Sequence, residues 1–188
     1  MSLKRDGNVA FKCAWNNKGY KTKCDGCPPG VTPTCSERRI HVHPELPESC
    51  WEMNLFNIWE FGSGDNRSIK DAKKDKVAIF TTKMANSDHR SVMAVTRIKD
   101  IRRHELGSCP HGTFWSDIVV GDPELSVKMP IDINFEDFYQ RSWRQGLFRY
   151  LQDDKVRTIL LTIKSKLATI EVSPNARELM DRLIALVS

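Results

Sequence analysis

No run in this chain approaches the roughly 20 apolar residues that a membrane-spanning helix needs, and no apolar stretch follows Met1. The two absences set the expectation of a cytoplasmic chain that does not engage a membrane. Catalytic signatures are missing as well. There is no Walker loop, no GxSxG, no HExxH and no PD…ExK pattern. Carboxylates are scattered, as Glu105, Asp117, Asp122, Asp132, Glu136 and Asp137, and Asp88-His89-Arg90 is too short to form a motif. No catalytic residue is assigned, and catalysis is not the expected role. Charge of one sign does not dominate either. Lys and Arg number 29 against 24 Asp and Glu, a net charge of +5 that permits a polyanionic partner without demanding one. Internal repeats and low-complexity segments are absent.

What is present is unevenly spread. Five of the six cysteines, Cys13, Cys24, Cys27, Cys35 and Cys50, fall in the first fifty residues, together with prolines and glycines and little apolar periodicity. A segment that buries little core needs disulfides or a metal to hold a shape. The absence of an apolar leader argues against disulfides. Cys24-Asp-Gly-Cys27 is a CxxC on a glycine-containing turn, a geometry that converges two thiolates on one tetrahedral ion. Structural zinc is therefore expected, with ligands drawn from Cys13, Cys24, Cys27, Cys35 and Cys50 and at most one of His41 and His43. An iron–sulfur cluster or unligated thiols are the alternatives. Cys109 and His111 read as loop residues.

The remainder is organised around residues 76–101. Residues 77–83 (VAIFTTK) are apolar and β-branched, and residues 91–101 (SVMAVTRIKDI) alternate over their second half. Two such runs joined by a polar connector predict a hairpin. Residues 51–61 (WEMNLFNIWEF) read as an earlier strand. Residues 68–74 (SIKDAKK) read as a short helix capped by Ser68. Residues 113–120 and 124–129 read as strands, with a turn at Gly121-Asp-Pro123. Residues 131–135 add a short strand, or residues 134–140 begin a helix. Residues 153–167 carry Val156, Ile159, Leu160, Ile163 and Leu167 at helical spacing, with acids at the start and lysines at the end. Residues 173–187 open with Ser173 and Pro174, a helix start, and bear the stripe Leu179, Met180, Leu183, Ile184 and Val187. That stripe packs on the main domain or serves a partner helix or homodimer.

In residues 54–101 the strand with Trp59, the loop residues 63–68 (SGDNRS), Ile69-Lys70 and the charged residues 74–76 before a strand resemble the opening of the PUA-like superfamily. Its EVE, YTH and ASCH domains bind nucleic acids. Lys74-Asp75 stands where those domains carry Gly-Asp. Residues 142–151 (SWRQGLFRYL) look like the closing segment of such domains, and the likeness spans roughly residues 51–165. The resemblance implies an α+β fold: a small PUA-like β-barrel flanked by helices over residues 51–188, preceded by an irregular Cys-rich module over residues 1–50. It also implies DNA or RNA as partner, with aromatic side chains enclosing a base that is often modified.

The aromatic candidates are Trp59, Phe61, Trp115 and Trp143. Asn66 and Asp65 are the candidates for reading a base edge, and Arg67, Lys83, Arg90, Arg144 and Arg149 for holding phosphates. Stacking contributes roughly 1–3 kcal/mol per base, enough to repay part of the cost of unstacking it. The plainer assignments are core packing for each tryptophan and surface ion pairs for each arginine. A zinc-stabilised interaction module is the second functional reading, and a metal-dependent hydrolase of nucleic acid the third.

Overall fold

A computed structural model describes residues 5–13, 34–35, 41–42, 59–62, 68–82, 88–109, 112–129, 132–139, 148–170 and 174–188. The fold is α+β. Among the described residues eight strands run in chain order: β1 (Asn8–Cys13), β2 (Thr34–Cys35), β3 (His41–Val42), β4 (Glu60–Gly62), β5 (Val77–Thr82), β6 (Ser91–Cys109), β7 (Gly112–Lys128) and β8 (Phe148–Leu151). A 3-10 turn covers Phe135–Asp137, and two helices follow, α1 (Asp153–Leu167) and α2 (Pro174–Ala185). Six strands form one mixed sheet in the order β4-β7-β6-β5-β1-β8, and β2 pairs with β3 separately.

The hairpin expected around residues 76–101 is there. β5 and β6 pair antiparallel from Val77 opposite Arg97 to Thr82 opposite Ser91. The sheet also takes a strand from the stretch read as poor in core. β1 lies parallel to β5 and antiparallel to β8, and Val9, Ala10 and Phe11 are fully buried. Composition hid this strand, because three apolar residues among cysteines and polar residues carry no visible period. The pairing that buries them is non-local.

Side chains of alternate residues leave the sheet on opposite faces. On one face Ala10, Val77, Ile79, Val92 and Val95 pack with Val156, Ile159, Leu160, Ile163 and Leu167 of α1 and Met180 and Leu183 of α2. The α1 stripe is the one its spacing predicts, and every member is buried. The first free amide of α1 is satisfied from outside the helix: Asp153 N donates to Asp6 Oδ2 at 2.9 Å. On the other face Val9, Phe11, Trp59, Ile69, Ala78, Phe80, Ala94, Ile98 and Val119 form a second core.

The second core shows that the sheet is rolled. β4 and β1 are four steps apart in strand order. In a flat sheet four steps of about 4.8 Å would separate them by about 19 Å. Instead the rings of Phe61 and Phe11 lie 4.3 Å apart, and those of Phe61 and Phe80 6.0 Å. The strand ladder among the described residues remains open between β4 and β8.

Two expectations are corrected. Residues 68–74 are not a helix. They form successive turns, with one helical-type bond from Ala72 N to Ile69 O at 3.2 Å. Their donors go elsewhere: Ile69 N to Asp117, Asp71 N to the Tyr150 hydroxyl, and Lys73 N to Gly7 O. The Gly121-Asp-Pro123 turn does not end a strand either. β7 is continuous, and the extra residues form an irregularity between the pairs Thr96–Ser126 and Ile98–Gly121. Residues 132–135 resolve both options offered for them, with a single bridge from Asn134 to Ser91 followed by the 3-10 turn.

Candidate nucleic-acid interface

Two of the three irregularities in the β6–β7 ribbon are pinned by a buried carboxylate, and these two shape this region. At the first, Asp122 N and Thr96 Oγ1 are 3.1 Å apart, Asp122 Oδ1 accepts from Glu124 N at 3.1 Å, and the Asp122 carboxylate pairs with Arg97. Gly121 N donates to Trp59 O at 2.7 Å. A Cβ on Gly121 would meet Thr96 Oγ1 at 2.8 Å, so the backbones approach here only because the side chain is absent. Trp59 itself sits at φ +52°, an uncommon conformation for a bulky residue.

At the second irregularity, β6 spends residues 103 and 104 between the pairs Arg102–Ile118 and Glu105–Ser116. Asp117 lies opposite and is 1% exposed. Its Oδ2 accepts from Ser68 Oγ, Ile69 N and Arg103 Nη1, each at 2.8 Å, and its Oδ1 from His104 N at 3.1 Å. Burial pushes this carboxyl up. The bonds from His104, Arg103, Ser68 and Ile69 outweigh it and hold the group down at about 2. Arg103 also donates to the carbonyl of Ile69 at 2.6 Å. Asp117 thus ties residues 68–72 to the ribbon.

The loop so held presents Lys70, Lys73 and Lys74 to solvent. Lys74 pairs with Asp100 at 2.6 Å, and Lys73 Nζ donates to Arg5 O at 3.1 Å. Arg5 pairs with Asp71 and lies over the Tyr150 ring at 4.5 Å. Beneath, Asn8 is fully buried and joins three strands: Oδ1 accepts from Val77 N at 3.0 Å, and Nδ2 donates to Asp153 at 2.7 Å and to Leu151 O at 3.4 Å. Lys76 grips the same Asp153 carboxylate at 2.8 and 2.9 Å.

The predicted site residues are placed as follows. Trp59 is 7% exposed and belongs to the second core. Phe61 packs on Phe11 and Phe80 in the same core. Trp115 occupies β7 opposite Leu106. Arg149 lies in β8 opposite Ala10, one residue from Phe148 and Tyr150, which pack on the second core. By strand alternation Arg149 belongs to the helix-covered face, across the sheet from Trp59 and Phe61. Asn66, Arg67, Lys83, Trp143 and Arg144 lie outside the described residues. Of the predicted ligands, Cys13 ends β1 and Cys35 lies in β2 opposite His41, while Cys24, Cys27 and Cys50 lie outside the described residues. Among the described residues no group of three His, Cys, Asp or Glu is placed to hold a metal, and no helix is long and apolar enough to cross a membrane.

No family model, curated protein or solved structure matches the chain. The region therefore stands on its own geometry. Asp117 reads in the sequence as one of several scattered acids, yet a lone acid inside the apolar strand run Ser116-Asp-Ile-Val-Val120 calls for a buried partner. Asp122 was counted among the scattered acids and given no role, because Gly-Asp-Pro reads as an exposed turn.

Proposed function

We propose that this chain is a nucleic-acid-binding protein whose rolled sheet is a PUA-like barrel. The observation that carries the reading is the 4.3 Å contact of Phe61, on edge strand β4, with Phe11 on β1, the strand next to the other edge, an approach that supports a sheet curling toward a small barrel. The net charge of +5, with Lys70, Lys73 and Lys99 exposed, supports a polyanionic partner. In this reading Trp115, Trp143 and Asn66 are the candidates for base contact, Arg67 is a candidate for holding a phosphate, and Trp59 shapes the wall from behind. The Cys-rich start carries one structural zinc, with Cys24 and Cys27 at its centre.

The test is a titration of the purified chain with short fluorescent DNA and RNA oligonucleotides at low and physiological salt, with and without modified bases. Binding that weakens with salt is expected. Each of Lys70, Lys73 and Lys99 that meets a phosphate should lower the salt slope by about 1 when replaced by Ala. No binding at low salt rejects the reading.

A second reading, a zinc-stabilised protein-interaction module, draws on one observation. Trp59 and Phe61 pack into the core, so their ring faces are used by the fold itself.

A further inference from the structure

His89 stands immediately before β6, and both of its ring nitrogens face carboxylates. Nδ1 lies 3.0 Å from Asp88 Oδ1, and Nε2 lies 2.8 Å from Asp132 Oδ2. A neutral imidazole has one N–H and one lone pair. An ionised carboxylate only accepts. The neutral ring therefore satisfies one of these contacts and sets a lone pair against the other carboxylate. Only the doubly protonated ring donates to both.

The surroundings decide which form is favoured. Asp132 is kept ionised by its bond from Ser91 and by His89 itself, with Lys166 of α1 adding a favourable charge. The two carboxylates raise the basicity of His89, the hydrogen bond to Asp88 most and that to Asp132 next, against a smaller opposing effect of burial. The neighbouring cation on its own segment is Arg90, which is buried and donates to Thr81 O at 3.4 Å. Lys166 and Arg90 oppose a charged ring, but the carboxylates are in direct contact with it.

His89 also sits at the end of a short zipper. Val92 N donates to Ile133 O at 2.8 Å and Phe135 N to Arg90 O at 2.7 Å, and Ser91 bridges Asn134. The His89–Asp132 contact continues this zipper toward the connector between β5 and β6.

We propose that His89 is a proton-operated clasp that fastens the start of β6 to residues 132–135 when its ring is doubly protonated and loosens them when it is neutral. The sign follows from linkage. A group more basic in the folded chain contributes fully below its unfolded pKa, and the contribution disappears as pH rises through its folded pKa. The clasp is closed in mildly acidic solution and opens on the alkaline side of the ordinary histidine range. It is independent of the nucleic-acid reading.

The experiment follows the His89 ring resonances against pH by NMR and, on the same samples, the hydrogen exchange of the Val92 and Phe135 amides, corrected for intrinsic rates. In the unmodified chain His89 is expected to titrate above the usual value of about 6.5. Protection of both amides is expected to fall several-fold along the same curve. His89→Gln removes the titration and should leave protection low and flat with pH. Asp132→Asn keeps the ring and should bring its titration back toward the ordinary value. The proposal is overturned if His89 titrates at or below the ordinary value, if protection ignores its titration, or if His89→Gln retains the pH dependence.

Discussion

Replacing Asp117 by Ala removes the acceptor that four donors share: Ser68 Oγ, Ile69 N, Arg103 Nη1 and His104 N. Breaking a buried ion pair from one side costs about 3–5 kcal/mol, because the remaining charge loses its partner. Arg103 is 37% exposed at its side chain, so water takes up part of its loss and the lower half of that range applies to the pair. The two backbone amides add about 1–3 kcal/mol each where water cannot reach them. Summed, these contributions reach about 5–10 kcal/mol, so a net destabilisation of at least about 5 kcal/mol is expected from urea unfolding at neutral pH.

Asp117→Asn keeps the shape but turns an amide N–H toward one set of donors, and about 2–3 kcal/mol is expected. The pH dependence has a definite sign. The carboxyl is held at about 2 in the folded chain, below its unfolded value. Its contribution is therefore complete above about 3.9 and lost as pH falls through the folded value. The stability gap between the natural chain and Asp117→Asn should narrow as pH falls from neutrality into that window. Hydrogen exchange of Ile69 and His104 should accelerate in both variants. A loss under about 1 kcal/mol for Asp117→Ala, with exchange at Ile69 unchanged, would refute this account of the latch, since surface substitutions rarely cost more.

Gly121→Ala should cost about 1–3 kcal/mol by overpacking, read by thermal unfolding, because the new methyl meets the side chain of Thr96 and the carbonyl of Trp59. Trp59→Ala should destabilise the fold by about 3–5 kcal/mol in chemical denaturation, since Trp59 belongs to the second core; loss of ligand binding in that variant would report on folding rather than on stacking. Elemental analysis of the purified chain should find about one zinc, the number of a single four-ligand site, and a metal-free chain with unchanged exchange protection before residue 51 would reject it.

Local signals were legible and long-range ones were not. The five apolar positions of α1 repeat at the helical period and all face the same core, so position and burial both follow from spacing. The β5–β6 hairpin was equally visible, because its two runs adjoin in sequence. β1 was not, since its partners β5 and β8 lie some 70 and 140 residues away in register. Residues 68–74 carry a good helix composition, yet Asp117, Tyr150 and Gly7 compete successfully for their polar groups. Gly121-Asp-Pro123 has turn chemistry, and the ribbon uses it for an irregularity within β7 rather than a reversal. At the candidate site, residue type pointed to Trp59 and Phe61. Neither could be sorted into wall or core without the roll of the sheet that brings Phe61 onto Phe11.

The most direct measurement of the central claim is an amide chemical-shift map of the isotope-labelled chain with and without a short single-stranded oligonucleotide at low salt. The account predicts saturable shifts that cluster on residues 68–76 and on β6 near Lys99, fade as salt rises, and leave α2 untouched. An unshifted spectrum at low salt, or shifts confined to the α1–α2 surface, would contradict it.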